Sequence, residues 1–129
     1  MALVLVVDDD PAMRSMIERI LKAAGHEIIA AADGEQGLRM FRTNRPDIVV
    51  SDIIMPQREG IETIREMREL NPSVRIVAVS GAQPLGGLSF LDIARKFGAD
   101  AALQKPFRAA ELLAAIRALP ADGSSSDAA

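Results

Sequence analysis

Apolar residues recur along the chain in two alternating rhythms. Leu3–Val7 (LVLVV) is an unbroken apolar run, the pattern of a strand covered on both faces. Asp10-Pro11 then supplies a capping side chain followed by proline at the first helical position. Met13, Met16, Ile17, Ile20, Leu21 and Ala24 form one stripe at helical period, which Gly25 ends. Glu27–Ala31 reads as a second strand, and Asp33-Gly34 opens a short helix through about Phe41. After Pro46, Asp47–Asp52 (DIVVSD) is a β-branched run that finishes on a carboxylate. Ile61, Ile64, Met67 and Leu70 predict the next helix, stopped by Asn71-Pro72. Ser73–Ser80 (SVRIVAVS) is a fourth strand and Ala101–Gln104 (AALQ) a short fifth. Between them, glycine-rich GAQPLGG precedes a helix marked by Phe90, Ile93, Ala94 and Phe97. Leu112, Leu113, Ile116 and Leu119 mark a last helix that ends at Pro120.

Strand and helix thus alternate five times, which predicts a parallel sheet with helices on both faces and right-handed crossovers. Residues 1–120 are expected to form one domain, with ADGSSSDAA (residues 121–129) a small, polar, disordered tail. No internal repeat is visible in these residues, and no second domain is expected among them. The hydrophobic fraction of 49% is enough for a full core, and with 3% aromatics, no Trp and no Tyr that core must be aliphatic. The apolar stripes on the helices are therefore core packing and need no cofactor. A formal net charge of -3 argues against direct nucleic-acid binding and against anionic membrane surfaces. Cysteine is absent, which excludes disulfides and thiol chemistry and fits a reducing cytosol. No apolar run approaches the about 18 residues of a spanning helix, and no basic stretch precedes the apolar N-terminus. The expectation is a soluble, cytoplasmic domain with no membrane partner.

Open parallel sheets bind ligands beyond the carboxyl ends of their strands, where the strand order reverses. Those ends carry the chemistry here. Asp8 and Asp9 follow the first strand, Asp52 closes the third, Ser80 closes the fourth and Lys105 follows the fifth. If the first and third strands are neighbours, three carboxylates converge beside a hydroxyl and an ammonium. Like charges repel, so such a cluster needs a cation. Three carboxylates with few nitrogens or sulfurs make a hard-oxygen site, which suits Mg²⁺ and not zinc. A phosphoryl group would then be held by the metal, Ser80 and Lys105 together. Asp10 is better placed as a helix cap than as a ligand. The lone histidine, His26, lies in the turn after Gly25, where it is expected to be exposed and to carry no ligand role.

Four stretches carry a resemblance: LVVDDDPAMR (Leu5–Arg14), DIVVSDIIMP (Asp47–Pro56), VAVSGA (Val77–Ala82) and KPF (Lys105–Phe107). In this order and at about these spacings the chain resembles the receiver domain of two-component response regulators, of the stand-alone chemotaxis-receiver kind. The resemblance covers about residues 3–119. It implies a flavodoxin-like, doubly wound (βα)5 fold with a five-stranded parallel sheet of order 2-1-3-4-5. By motif match Asp52 would be the phosphoacceptor, forming an aspartyl phosphate. Asp9 would ligate Mg²⁺ directly and Asp8 through water, with Asp52 and the backbone carbonyl of Ile54 completing the protein ligands. Lys105 would pair with the phosphoryl oxygens, Ser80 would hydrogen-bond one of them, and the Lys105-Pro106 bond would be cis. A histidine kinase or histidine phosphotransferase would be the donor, a downstream effector protein the recipient of the signal. The domain would be a monomer or a phosphorylation-dependent dimer. It would not be an enzyme beyond catalysing its own phosphorylation and dephosphorylation.

Two other functional classes compete. A degenerate receiver would serve as a phosphorylation-independent interaction or dimerisation module, and Ala102 favours it, since the family usually has Tyr or Phe three residues before this lysine. The aromatic lever toward the face built from the Phe90–Phe97 helix, the fifth strand and the last helix is thereby lost, and the glycine-rich Gly81–Leu88 loop is its expected substitute. A Mg²⁺ phosphohydrolase could use Asp8 and Asp10 at Asp-x-Asp spacing, but Pro11 starts a helix at once and there is no cap domain. Ile54 and Ala82 flank the family's route for hydrolytic water with apolar side chains. Autodephosphorylation is therefore expected to be slow, and a phosphoryl half-life of only seconds in purified protein with Mg²⁺ would contradict this. The expectation is that no DNA-binding domain follows residue 120 and that output passes through a partner.

Overall fold

Aliphatic and β-branched residues bury best in the middle of a sheet, where both faces are covered. In the computed structural model, which describes residues 2–53, 59–81, 95–96 and 98–120 (59 and 60 as backbone alone), the longest apolar runs lie there. The elements are β1 (Leu3–Val7), α1 (Pro11–Ala23), β2 (Glu27–Ala31), α2 (Gly34–Asn44), β3 (Ile48–Asp52), α3 (Glu59–Leu70), β4 (Arg75–Ser80), β5 (Ala101–Gln104) and α4 (Ala109–Ala118). All five strands are parallel, in the order β2-β1-β3-β4-β5. This is the doubly wound, flavodoxin-like order that the motifs implied.

Alternate residues of each central strand feed opposite layers. Leu5, Val7 and Val49 pack with Phe41, Ile64 and Met67 under α2 and α3. Val4, Val6, Val50, Val77 and Val79 pack with Ile17, Leu21, Leu112 and Ile116 under α1 and α4. Gly37 lets α2 come close to the sheet: a Cβ there would stand 3.0 Å from Val7 Cγ2. Burial on both faces holds for β1, β3 and β4, but β2 and β5 are edge strands and are mostly half-covered.

Several element ends differ from the sequence expectation for local reasons. The helix expected to stop near Phe41 runs on to Asn44, since the polar Arg42–Asn44 turn carries no apolar period. It is ended by Arg45, left-handed at φ 49° and ψ 63°, one residue before Pro46, whose ring disfavours a right-handed helical residue before it. The third strand starts at Ile48, not Asp47. Ser73 and Val74 belong to a turn and not to β4: Asn71 Oδ1 accepts the Ser73 N–H (3.0 Å) and Asn71 O the Val74 N–H (3.2 Å). Leu119 is extended (φ -63°, ψ 146°), so α4 stops at Ala118, again one step before a proline. Of the helix expected around Phe90–Phe97, Arg95 and Lys96 are described and have helical backbone. Its remaining residues lie outside the described residues, as do Ala82–Leu88 of the glycine-rich loop and the 121–129 tail.

Candidate functional site

The sheet register brings the acidic residues together. Val7 pairs with Ser51, so the next residues along, Asp8 and Asp52, sit side by side at the carboxyl edge. The carboxylate oxygens of Asp8, Asp9 and Asp52 include one from each residue that lie within 4.8 Å of one another. Asp8 and Asp52 are buried, at 1% and 6% exposure, while Asp9 is exposed. Asp8 is held through both its backbone and its side chain. Its N–H donates to Ala31 O (3.2 Å), and its Oδ1 accepts the Asp10 N–H (2.9 Å). Asp10 itself points away as the N-cap of α1, accepting the Ala12 N–H at 2.9 Å.

Lys105 arrives from the far end of the site. Its own N–H donates to Ser80 O (2.8 Å) where β4 and β5 end side by side, and the Lys105-Pro106 peptide is cis. The ammonium Nζ lies 3.0 Å from Asp52 Oδ2 and 3.1 Å from Asp8 Oδ2. Burial works against the charge on this amine, but the hydrogen bonds and charges of Asp52 and then Asp8 outweigh it and hold its pKa above the ordinary value of 10.5. Ser80 is buried at the same edge, at 1% exposure. The five side chains singled out from sequence as Asp8, Asp9, Asp52, Ser80 and Lys105 therefore stand at one end of the sheet. The Ile54 carbonyl and Ala82 lie outside the described residues.

Three carboxylates and one ammonium leave a formal excess of two negative charges, which a divalent cation would match. The donors are all oxygen, as Mg²⁺ requires. Oxygens bound directly to one Mg²⁺ at about 2.1 Å stand at most about 4.2 Å apart. A spread of up to 4.8 Å therefore suits an ion held directly by some of the carboxylates and through water by another. The residues present fit the ion.

Two contacts were not legible in the sequence. Arg14 Nη1 donates to the Asp8 carbonyl at 2.8 Å, although nothing but a cation one turn inside a helix that follows carboxylates hinted at it. Ser51 Oγ donates to Asp52 O at 3.2 Å. His26 is half-buried, not exposed as expected: Glu27 N–H donates to Ala2 O (3.0 Å), which draws the N-terminus alongside, and His26 Nδ1 accepts the Ala2 N–H (3.3 Å). Ala102 pairs with Ala78 in the sheet and packs half-buried against the α2–α3 core layer. A groove of about 410 Å³ lined by Phe41, Arg42, Arg45, Leu70 and Asn71 lies where α2 and α3 end, across the sheet's length from the aspartates. It has no part in this chemistry. Among the described residues no helix is long and apolar enough to cross a membrane.

The sequence matches the family described as "Response regulator receiver domain" over residues 4–117. "Response regulator MprA" of Mycolicibacterium vanbaalenii is 37% identical over 132 residues, covering 98% of this chain and 55% of that protein. Its namesake in Mycobacterium bovis is 38% identical over 117 residues, covering 90% of this chain and 49% of that one. Among solved structures, chemotaxis protein CheY4 of Vibrio cholerae superposes with a TM-score of 0.81 at 30% identity, covering 91% of this chain and 97% of its own. A response regulator receiver domain protein from Clostridium thermocellum gives a TM-score of 0.81 at 29% identity over 98% and 97% of the two chains. The chain spans about half the length of the curated relatives it matches.

Proposed function

The chain belongs to the response regulator receiver domain family of two-component signalling, and from that premise we propose that it is a phosphorylation switch with Asp52 as phosphoacceptor. The observation that carries this reading is the Lys105 ammonium, 3.0 Å from Asp52 and 3.1 Å from Asp8, with the Asp9 carboxylate in the same cluster. Residues 1–120 form the receiver unit, and 121–129 lie beyond it.

In the proposed reaction the Asp52 carboxylate attacks the phosphorus of a phosphohistidine on a histidine kinase or phosphotransferase. A P–O bond forms as the donor's P–N bond breaks, and the departing imidazole takes a proton from solvent. Lys105 is already hydrogen-bonded to Asp52, so its ammonium can follow the negative charge onto the phosphoryl oxygens with a small shift. The Ser80 hydroxyl stands at the adjoining strand end to hydrogen-bond one of them. Asp9 and Asp52, with Asp8 through water, would hold Mg²⁺, which supplies charge stabilisation to the transferring group when bound. The aspartyl phosphate carries about two negative charges where the carboxylate carried one, and that gain at the carboxyl edge alters binding of an effector protein. Action in the cytoplasm belongs to the same proposal.

Ala102 favours one competing reading, a module that binds partners without phosphorylation, because no aromatic side chain stands on β5 to relay the change. A single experiment separates the two. Incubation with acetyl phosphate and Mg²⁺ is expected to add the mass of one phosphoryl group to the intact protein, and Asp52→Ala is expected to remain unmodified. No adduct, or an adduct that persists in Asp52→Ala, sinks the phosphoacceptor assignment and leaves the module.

A further inference from the structure

Asp9 has the least side-chain support of the three clustered carboxylates. Asp8 is tied through the Asp10 N–H and Lys105, and Asp52 through Lys105. The Asp9 carboxylate is exposed and accepts no hydrogen bond among the described residues. Its position toward the cluster therefore depends on the main chain to either side. Arg14 holds that main chain at both flanks: its backbone N–H donates to Asp10 O (2.9 Å), and its guanidinium Nη1 to Asp8 O (2.8 Å). The first is an ordinary helical bond. The second is not, because Asp8 lies two residues before the N-cap of α1, where no helical N–H can reach its carbonyl. That carbonyl shares a peptide plane with the Asp9 N–H, and with the Asp10 carbonyl also held by Arg14 the main chain is restrained on both sides of the Asp9 Cα.

We propose that Arg14 is the positioning residue of Asp9, aiming its carboxylate into the metal cluster by a charge-assisted hydrogen bond to the Asp8 carbonyl. The inference rests on the reading of Asp8, Asp9 and Asp52 as a Mg²⁺ site. A side chain that orients a ligand from behind typically accounts for a substantial part of metal affinity, about tenfold at the low end when it is removed. Arginine suits the role because its planar guanidinium presents several fixed donors at the end of a long stem.

The test is calorimetric titration of Mg²⁺ into the purified full chain, with metal-free thermal unfolding to verify that each variant is folded. Arg14→Met and Arg14→Gln are both used, so that a fold defect in one leaves the other to decide. Wild type is expected to bind one Mg²⁺, Asp9→Asn to bind more weakly, and either arginine variant to lose about tenfold in affinity. If Arg14 acts through Asp9, adding Arg14→Met to Asp9→Asn produces no further loss, a non-additivity that general destabilisation does not reproduce. A folded arginine variant with wild-type affinity, or a full additional loss in the double variant, overturns the positioning role while leaving the metal site standing. A wild-type chain that binds no Mg²⁺, or an Asp9→Asn variant with unchanged affinity, overturns the metal reading and this inference with it.

Discussion

Lys105→Met is expected to unfold with about 3 kcal/mol less stability than wild type in metal-free buffer, the low end for removing one partner from a buried ion pair. For a domain of this size that is a fall of roughly 10 °C in Tm. The reason lies in what the ammonium separates. Asp8 and Asp52 side chains are 1% and 7% exposed, Lys105 is 17% exposed, and Nζ bonds both carboxylates at 3.1 and 3.0 Å. Without it, two buried carboxylates face each other with no cation between them. Methionine keeps the apolar stem, so the loss reports the charge and not the packing. Mg²⁺ should restore more stability to the variant than to wild type, since in the variant the ion has no ammonium to compete with for the same oxygens. The pH dependence follows from the direction of the lysine shift in the metal-free protein. Its pKa is raised above 10.5, so its stabilising contribution is fully present below the unfolded-state value and fades as pH climbs through the higher folded value. The gap between wild type and variant should be flat across neutral pH and close only in strong alkali. Equal melting temperatures in EDTA at neutral pH would mean that Lys105 does not hold these carboxylates together.

Local chemistry made much of this fold readable. Asp10-Pro11 and Asp33-Gly34 cap the helices they were expected to cap, because a capping carboxylate and the N–H that donates to it lie within three residues of each other. The unbroken runs in β1, β3 and β4 are the three strands buried on both faces. The carboxylate cluster was legible only in part. Asp8 and Asp52 are 44 positions apart in the chain, and no periodicity says they touch. Their meeting depends on β1 lying next to β3, an adjacency that came from the motif resemblance. The misses share another cause. Arg14 finds its acceptor in the loop before its helix and His26 its donor in the N-terminal segment, and a long or amphipathic polar side chain looks the same in sequence whether it is solvated or engaged. Half-coverage of β2 and β5 is likewise a property of their place at the edge, not of their composition.

Arg68 is the largest such case, and removing it should cost as much as removing Lys105 although it lies far from the acidic edge. From α3 its Nη1 donates to Pro72 O (2.8 Å) and Val74 O (2.6 Å). Nε and Nη2 share Gly98 O at 3.1 and 2.8 Å, and Nη2 also meets Asp100 Oδ2 at 2.7 Å. The same Asp100 oxygen accepts the Ile76 N–H (2.8 Å). One guanidinium thus ties the end of α3 to the turns that lead into β4 and β5. Gly98 turns there with a left-handed backbone at φ 101°, a conformation that strains any residue carrying a Cβ. Arg68→Ala leaves three carbonyls and a mostly buried carboxylate short of a donor. Water can reach Pro72, but the others lose charge-assisted bonds worth about 1.5–3 kcal/mol each before relaxation. A net loss of about 3 kcal/mol in chemical denaturation is expected, with fast hydrogen exchange appearing first at the Ile76 amide. Arg68→Lys should recover less than half of it, because a single ammonium cannot span acceptors arranged for a planar fork. An Arg68→Ala protein that unfolds at the wild-type denaturant concentration would show that these bonds merely replace equivalent bonds to water.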